Sequence, residues 1–367
     1  MPTVFAAFED RLLEISRTDG EWTAETILSG PEIESVTGRP EDSGRVLVGT
    51  VGDGILLRDA WGDSWHRVGA ETIDDRVTAL ATDSSDIDRV YAGTEPSAVY
   101  ASTDGGETWR RRGGLRDLPS ATSWSFPPRP HTHHVRWIEV DPANPAHLYV
   151  AIEAGALVQT EDRGKTWTDR VPSARRDVHS MATHPDAPGR AWCAAGDGFA
   201  ETTDGGATWE YPQSGLDHRY CWSVAVDPAD PDRVVVSGAS GPGSAHTPGT
   251  AESYVYRRKR GNGEGMGQDN AGGETQKYKT DRRNWEPDGR NWEPDGRDWE
   301  LAEDGIPHGT GMLRPVLASG TDPGEIFAVT NRGVYRSESA GQYFRKIAIH
   351  WPSELREQTP AGVHVVS

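Results

Sequence analysis

The sequence predicts an all-β fold, a seven-bladed β-propeller built from four-stranded blades. Three observations carry that expectation. A phrase of the form [ST]-x-D-x-G-x-T-W recurs at Ser102–Trp109, Thr160–Trp167 and Thr202–Trp209. Each copy follows the same upstream order of apolar run, polar turn and apolar run. The N-terminal unit is one strand short, and an alternating tail at the C-terminus has no unit of its own. Internal repetition at a period of roughly 40 residues is the mark of a propeller or solenoid.

The elements follow in order. The first unit holds three strands, Val4–Phe8, Arg11–Ile15 and Trp22–Leu28. Its missing inner strand is expected at Val363–Val366, which closes the ring and removes the free edges. Ile33–Val68 is a second unit whose phrase has decayed to Arg58–Trp65. The third runs through Val77–Ala81, Arg89–Thr94 and Ala98–Ala101. The fourth runs through Val135–Val140, a turn at Asp141–Pro145, His147–Ala151 and Ala156–Gln159. The fifth has Val178–Thr183 and Arg190–Ala194 around His184-Pro185. The sixth has Cys221–Val226, a turn at Asp227–Pro231, Arg233–Ser237 and Ser253–Tyr256. Leu313–Ile347 is the seventh.

The phrase itself is the hairpin between the last two strands of a unit. Gly supplies the positive φ of a tight turn, and Asp bonds back to nearby amides. Asp104, Asp162 and Asp204 are therefore expected to be structural. Trp109, Trp167 and Trp209 open the next strand and are expected to carry their apolar surface into the core.

One propeller domain is expected over 1–367, interrupted within the sixth blade. Residues 257–298 are Gly-rich and polar, with a tandem Asn-Trp-Glu-Pro-Asp-Gly-Arg repeat at Asn284–Arg290 and Asn291–Arg297, and a partial copy from Asp298. A stretch with so few apolar residues is expected to be disordered. Only one copy can supply the blade's outer strand, and the sequence does not say which.

The Asp-Pro-x-x-Pro turns, the strands that follow them and the Ser-x-Asp-Gly-Gly-x-Thr-Trp hairpin together resemble the Asp-box (BNR) propeller superfamily. That superfamily includes sialidases, xyloglucanase-type glycoside hydrolases, sortilin-type receptors and photosystem II assembly factors. The resemblance covers nearly the whole chain. It implies the fold, and an Asp-box placed away from the ligand face. It does not fix the activity, because one propeller hosts many functions.

Composition narrows the function classes. The net charge is −19, and only five of the 38 basic residues are lysine. An acidic, Lys-poor chain resembles proteins of halophilic archaea. It argues against nonspecific nucleic-acid or anionic-membrane binding, which both need positive surface. The first 16 residues read as a strand rather than a signal peptide, and no apolar run is long enough to span a bilayer. Cys193 and Cys221 lie on expected strands as small hydrophobes. A cytoplasmic monomer without disulfide, metal or cofactor is the resulting expectation.

A binding site is expected at the channel mouth, where loops enter the innermost strands. Glu34, Thr78, Arg136, His179, Trp222, Arg314 and His364 fall at one equivalent position of those strands. Nearby loops add His134, Tyr220 and His308. Arg, His and aromatic residues gathered on one face of an acidic chain suggest a pocket for an anionic or polar ligand. The ligand set expected is Arg136, His179, Trp222, Arg314, His134, Tyr220 and His308. The long loop Gly113–His134 is expected to border it. His131-x-His133-His134 lacks a metal-site spacing.

Catalytic residues are not legible at this level. No Arg-Ile-Pro motif of the sialidases is present. Xyloglucanase-type enzymes, by resemblance, place two Asp in a cleft between two propellers, and this chain has the length of one. The expected function is thus a non-enzymatic, assembly-factor-like scaffold that binds a protein or an anionic or polar small molecule. The alternative is a sialidase- or xyloglucanase-like glycoside hydrolase acting on a glycan.

Overall fold

In the computed structural model, residues 2–39, 42–59, 64–259 and 298–366 are described. They form seven antiparallel sheets arranged as the blades of a ring. Blade 1 contains Thr3–Phe8, Arg11–Thr18 and Glu21–Ser29, and Gly362–Val366 is its innermost strand. The closing register pairs Val4 with Val365 and Phe5 with His364. The chain ends therefore share one sheet, as the three-stranded N-terminal unit requires.

Blades 2 and 3 are four-stranded, from Glu32–Arg39 to Trp65–Val68 and from Val77–Asp83 to Arg110–Arg112. Blades 4 and 5 begin at Val135–Val140 and Val178–Thr183 and hold three full strands each. Their fourth strands shrink to single bridges, Gln159 to Thr168 and Glu201 to Glu210. Blade 6 begins at Tyr220–Asp227, and blade 7 runs from Val316–Ser319 to Phe344–Lys346. The core lies between blades. Tyr91 and Val99 of blade 3, for example, pack with Val135, Ile138 and Val150 of blade 4.

The repeated hairpins share one hydrogen-bond pattern. Asp104 Oδ1 accepts from Thr108 N at 3.0 Å, and Oδ2 accepts from Thr108 Oγ1 at 2.6 Å. Ser102 Oγ accepts from Gly106 N at 2.9 Å, with Gly106 at φ +97°. Asp162 and Asp204 repeat this with Thr166 and Thr208. Trp109 and Trp209 are buried. Trp167 departs from expectation and is only half-buried. Its ring lies over Gly114 and its Nε1–H donates to Gly113 O, so glycines cover it where side chains would.

Blade 6 corrects the boundary of the interruption. Arg257 and Arg258 belong to the third strand, Glu252–Arg258, and Arg258 bonds Glu201 of blade 5 twice, at 2.6 and 2.8 Å. The outer strand is Trp299–Leu301, from the partial third copy, with Trp299 fully buried. Residues 260–297, which include the other two copies, lie outside the described residues.

Candidate functional site

The site begins with a repeated irregularity. In blades 2 to 6 the pairing of the innermost strand slips by one residue, between Ile33 and Ser35, Val77 and Ala79, Val135 and Trp137, Val178 and Ser180, and Cys221 and Ser223. The residues left out of the ladder are Glu34, Thr78, Arg136, His179 and Trp222. A β-bulge re-aims its extra side chain, and here five blades do so at one level of the ring. Two of these side chains also tie blade to blade. Thr78 Oγ1–H donates to Val135 O at 2.5 Å, and His179 Nδ1–H donates to Cys221 O at 2.8 Å.

Above this ring lies a pocket of about 710 Å³. Glu34, Arg136, Trp222 and Arg314 line it, with His134 from the loop entering blade 4 and Tyr220, the first residue of the innermost strand of blade 6. The long loop contributes Phe126, Pro127, Pro128 and Arg129. His179 lies behind the wall at 1% exposure, its ring 4.3 Å from that of Trp222.

Two residues of the expected face are elsewhere. His308 sits beside Tyr254, 6.2 Å between rings, because Gly309–Thr310 pairs with Glu252–Ser253 at the start of the third strand of blade 6, two strands out from the innermost one. His364 packs against Gly38, because its strand pairs regularly and has no bulge to turn the ring.

Trp222 has a supporting place. It is 6% exposed, with the Arg314 guanidinium 3.8 Å and the Arg136 guanidinium 4.7 Å from its ring. Little of its face is left for a ligand. Arg314 Nε–H donates to His246 Nδ1 at 3.0 Å, so the His246 proton sits on Nε2, which donates to Tyr220 OH at 3.1 Å. His246 comes from the short helix Pro242–His246 inserted after the second strand of blade 6.

The floor carries a pair of carboxylates. Glu153 stands in the hairpin between the second and third strands of blade 4, and Asp177 in the loop entering blade 5. An oxygen of each and a ring nitrogen of His179 all lie within 4.8 Å of one another. Glu153 Oε2 accepts from His134 Nε2–H at 2.8 Å, with Arg136 Nε 3.6 Å away. Burial pushes the Glu153 carboxyl up, but the His134 hydrogen bond and the surrounding positive charge win, and its pKa falls well below the usual range. Asp177 goes the other way. Burial raises its pKa and the Glu153 charge raises it further, against His179. Burial also lowers the pKa of His179, which keeps the imidazole neutral, and its Nε2 has no hydrogen-bond partner.

Glu153, Asp177 and His179 could together hold one cation. Three donors fall short of the four that a structural zinc takes, and Arg136 already supplies positive charge beside Glu153. The His131-x-His133-His134 run adds no donor to this set. Sequence reasoning missed Glu153 and His246. The signal for Glu153 was present, since the same hairpin carries Glu95 in blade 3 and Asp197 in blade 5.

No known family profile matches the chain. A xyloglucanase from Paenibacillus sp. is 31% identical over 191 residues, 42% of this chain. The chain spans 17% of that enzyme's length. Among solved structures, the GH74 xyloglucanase from Xanthomonas campestris matches with a TM-score of 0.58 at 16% identity, over 86% of this chain and 45% of that one. An ancestral GH74 enzyme matches with a TM-score of 0.56 at 15% identity, over 84% of this chain and 36% of that one. YCF48 bound to D1 peptide matches with a TM-score of 0.51 at 14% identity, over 89% and 82% of the two chains. The structural likenesses establish the propeller fold and nothing more.

The sequence relative corrects the functional expectation. It is an enzyme that acts on glycan, so the non-enzymatic, assembly-factor-like scaffold gives way to the glycoside-hydrolase alternative. Among the described residues no helix is long and apolar enough to cross a membrane.

Proposed function

We propose that the chain is a glycoside hydrolase and that the channel-mouth pocket is its active site. The observation that carries this reading is the Glu153–Asp177 pair, two carboxylates within 4.8 Å at the floor of a 710 Å³ pocket. Glycoside cleavage uses two carboxyl groups in opposite protonation states. Glu153 is held ionised by His134 and Arg136, and Asp177 is biased toward its protonated form. Asp177 then protonates the departing glycosidic oxygen, and Glu153 attacks the anomeric carbon. The glycosyl–Glu153 ester that results is hydrolysed by water, with Asp177 taking the proton. The short separation fits this retaining route, which needs roughly 5–5.5 Å, and not the wider inverting one. His179 acts as a positioning residue, its neutral ring packed behind Asp177. The 31% identity to a xyloglucanase supports a glycan as substrate.

A panel of chromogenic glycosides and plant and microbial polysaccharides, assayed for reducing-end release, tests the reading. Wild type should cleave at least one, and Glu153→Gln and Asp177→Asn should each lose about 100-fold or more in kcat while remaining folded. Full activity in both variants would overturn it.

The single propeller domain and the structural role of Asp104, Asp162 and Asp204 are proposed on the same footing. Their hairpins stand at the outer strands of the blades, and none of them lines the pocket.

A further inference from the structure

The repeated hairpin changes sign between blades 3 and 4. Arg163 and Lys165 of the blade 4 hairpin stand where Gly105 and Glu107 stand in blade 3. The N–H groups of Gly105 and Arg163 donate to Asp88 O and Ala146 O, so Ala146 takes the place of Asp88. These replacements fall at a seam. Between blades 2 and 3, Arg45 Nη2–H donates to Glu107 Oε1 at 2.8 Å and to Gly105 O at 3.1 Å, and Arg39 pairs with Asp88. Blade 4 offers neither acid to blade 3. Yet blade 3 presents Arg89, which precedes Val90 as Arg45 precedes Val46, and adds Arg112 from its outer strand. The Arg112 stem crosses Gly164 so closely that a Cβ there would stand 3.1 Å from Arg112 Cγ.

The charges at this seam are unevenly met. Arg89 has Asp83 at 3.8 Å and Asp86 at 3.2 Å on its own turn. Among the described residues the Arg112 and Arg163 guanidiniums have no hydrogen bond or ion pair. The nearest acids of the hairpin are engaged elsewhere, Asp162 with Thr166 and Glu161 with Asn144 and His147. Tyr91 is a separate sign. It is 0% exposed, and its hydroxyl has no hydrogen-bond partner. The buried Nε atoms of Arg89, Arg112 and Arg163 are in the same condition, whereas buried polar groups are normally paired. Burial raises the Tyr91 pKa, the charges of Arg89, Arg163 and Arg112 oppose the rise and Asp83 adds to it, so the hydroxyl lies among these groups. Arg163 also holds φ +62°, where its counterparts are Gly105 and Gly205. Strain kept in one copy of a repeat points to a use for its side chain.

We propose that the seam between blades 3 and 4 binds a tetrahedral oxyanion, phosphate or sulfate, through Arg112, Arg163 and Lys165, with the Tyr91 hydroxyl as a further donor. Guanidinium and ammonium groups form strong charge-assisted hydrogen bonds to such an ion. The ion does from solution what Glu107 and Asp88 do at the preceding seam, joining one blade to the next. None of these residues lines the pocket, so the site is independent of the glycan reading.

Thermal melts of the full chain test it. Inorganic phosphate at about 10 mM should raise the wild-type melting temperature by about 2 °C or more over sodium chloride of equal ionic strength. Inorganic sulfate should act in the same way. General salting-out is common to all variants, so the comparison among them carries the result. Arg163→Gly installs the residue of the other two copies. It should be no less stable than wild type without phosphate, and it should lose the gain. Lys165→Glu supplies the acid that blade 3 has. It should raise the melting temperature in chloride and leave phosphate without effect. Tyr91→Phe keeps the ring and should weaken phosphate binding by calorimetry. Methyl phosphate distinguishes a free ion from an ester. A smaller gain than with phosphate assigns the free ion, a larger one assigns an esterified group, and both uphold the oxyanion site. No gain in wild type would overturn the proposal. So would a gain that survives unchanged in Arg163→Gly and Lys165→Glu, since the anion would then bind elsewhere.

Discussion

The backbone N–H of Ala154 donates to Asp177 Oδ1 at 2.9 Å, across the seam between blades 4 and 5. Ala154 takes a left-handed conformation, φ +53°, and Glu153 is its chain neighbour. One hydrogen bond therefore sets how far apart the two floor carboxylates stand. It also leaves Asp177 Oδ2 free to face His179 Nε2, 3.7 Å away.

That arrangement has a pH signature. The proposed chemistry needs Glu153 ionised and Asp177 protonated. The alkaline limb of kcat/KM should reflect loss of the Asp177 proton, above the ordinary Asp value of 3.8, because burial and Glu153 raise its pKa. The groups facing the pair are His134, Arg136 and His179. Glu153→Gln removes one of the charges that raise Asp177. In residual activity its alkaline limb should move to lower pH, and an unmoved limb would show that Asp177 is not the acid.

Ring closure depends on the C-terminal strand. Truncation after Gln358 removes the partner of Thr3–Phe8, whose side chains are all buried. The melting temperature should fall sharply, because two apolar edges open to water. An unchanged melting temperature would contradict the closure.

The repeated tryptophans should not be equivalent. Trp109→Ala and Trp209→Ala should each cost about 3–5 kcal/mol by chemical denaturation, as large-to-small changes in a packed core. Trp167→Ala should cost clearly less, since its ring is half-exposed and lies on glycines. Equal costs at the three sites would contradict this account.

Stability should decline in mild acid. Burial lowers the His364 pKa to about 4, against 6.5 for a free histidine. His246 is lowered to about 3 by burial and by Arg314. The unfolded chain then binds more protons than the native one below about pH 6.5. Stability should be full above that pH and should fall as pH drops toward 4 and 3. His364→Gln should flatten the upper part of this decline, as measured by denaturation at stepped pH. An equally steep decline in that variant would rule His364 out as a contributor.

The fold was legible because the [ST]-x-D-x-G-x-T-W hairpin repeats its residues as well as its pattern, and because a three-stranded first unit demands a strand from the other end. The pocket was partly legible. Aligning the inner strands placed Arg136, His179, Trp222 and Arg314 at one level, and the bulges give that column its physical meaning. Glu153 was hidden because it lies in none of the loops entering a blade. The hairpin between the second and third strands reaches the same face. His308 was misplaced because a two-residue pairing, Gly309–Thr310 on Glu252–Ser253, anchors its segment to blade 6. His246 sits in an insertion with no counterpart in sister blades, so no alignment of repeats could find it.

The central claim is that Glu153 and Asp177 carry out the chemistry. Covalent trapping tests it most directly. The 2-fluoro analogue of whichever activated glycoside the enzyme cleaves is added, and the intact protein and its peptides are weighed by mass spectrometry. The account predicts one glycosyl adduct per chain, on the peptide containing Glu153, and none in Glu153→Gln. An adduct on another residue, or steady turnover of the parent glycoside with no adduct at all, would contradict it.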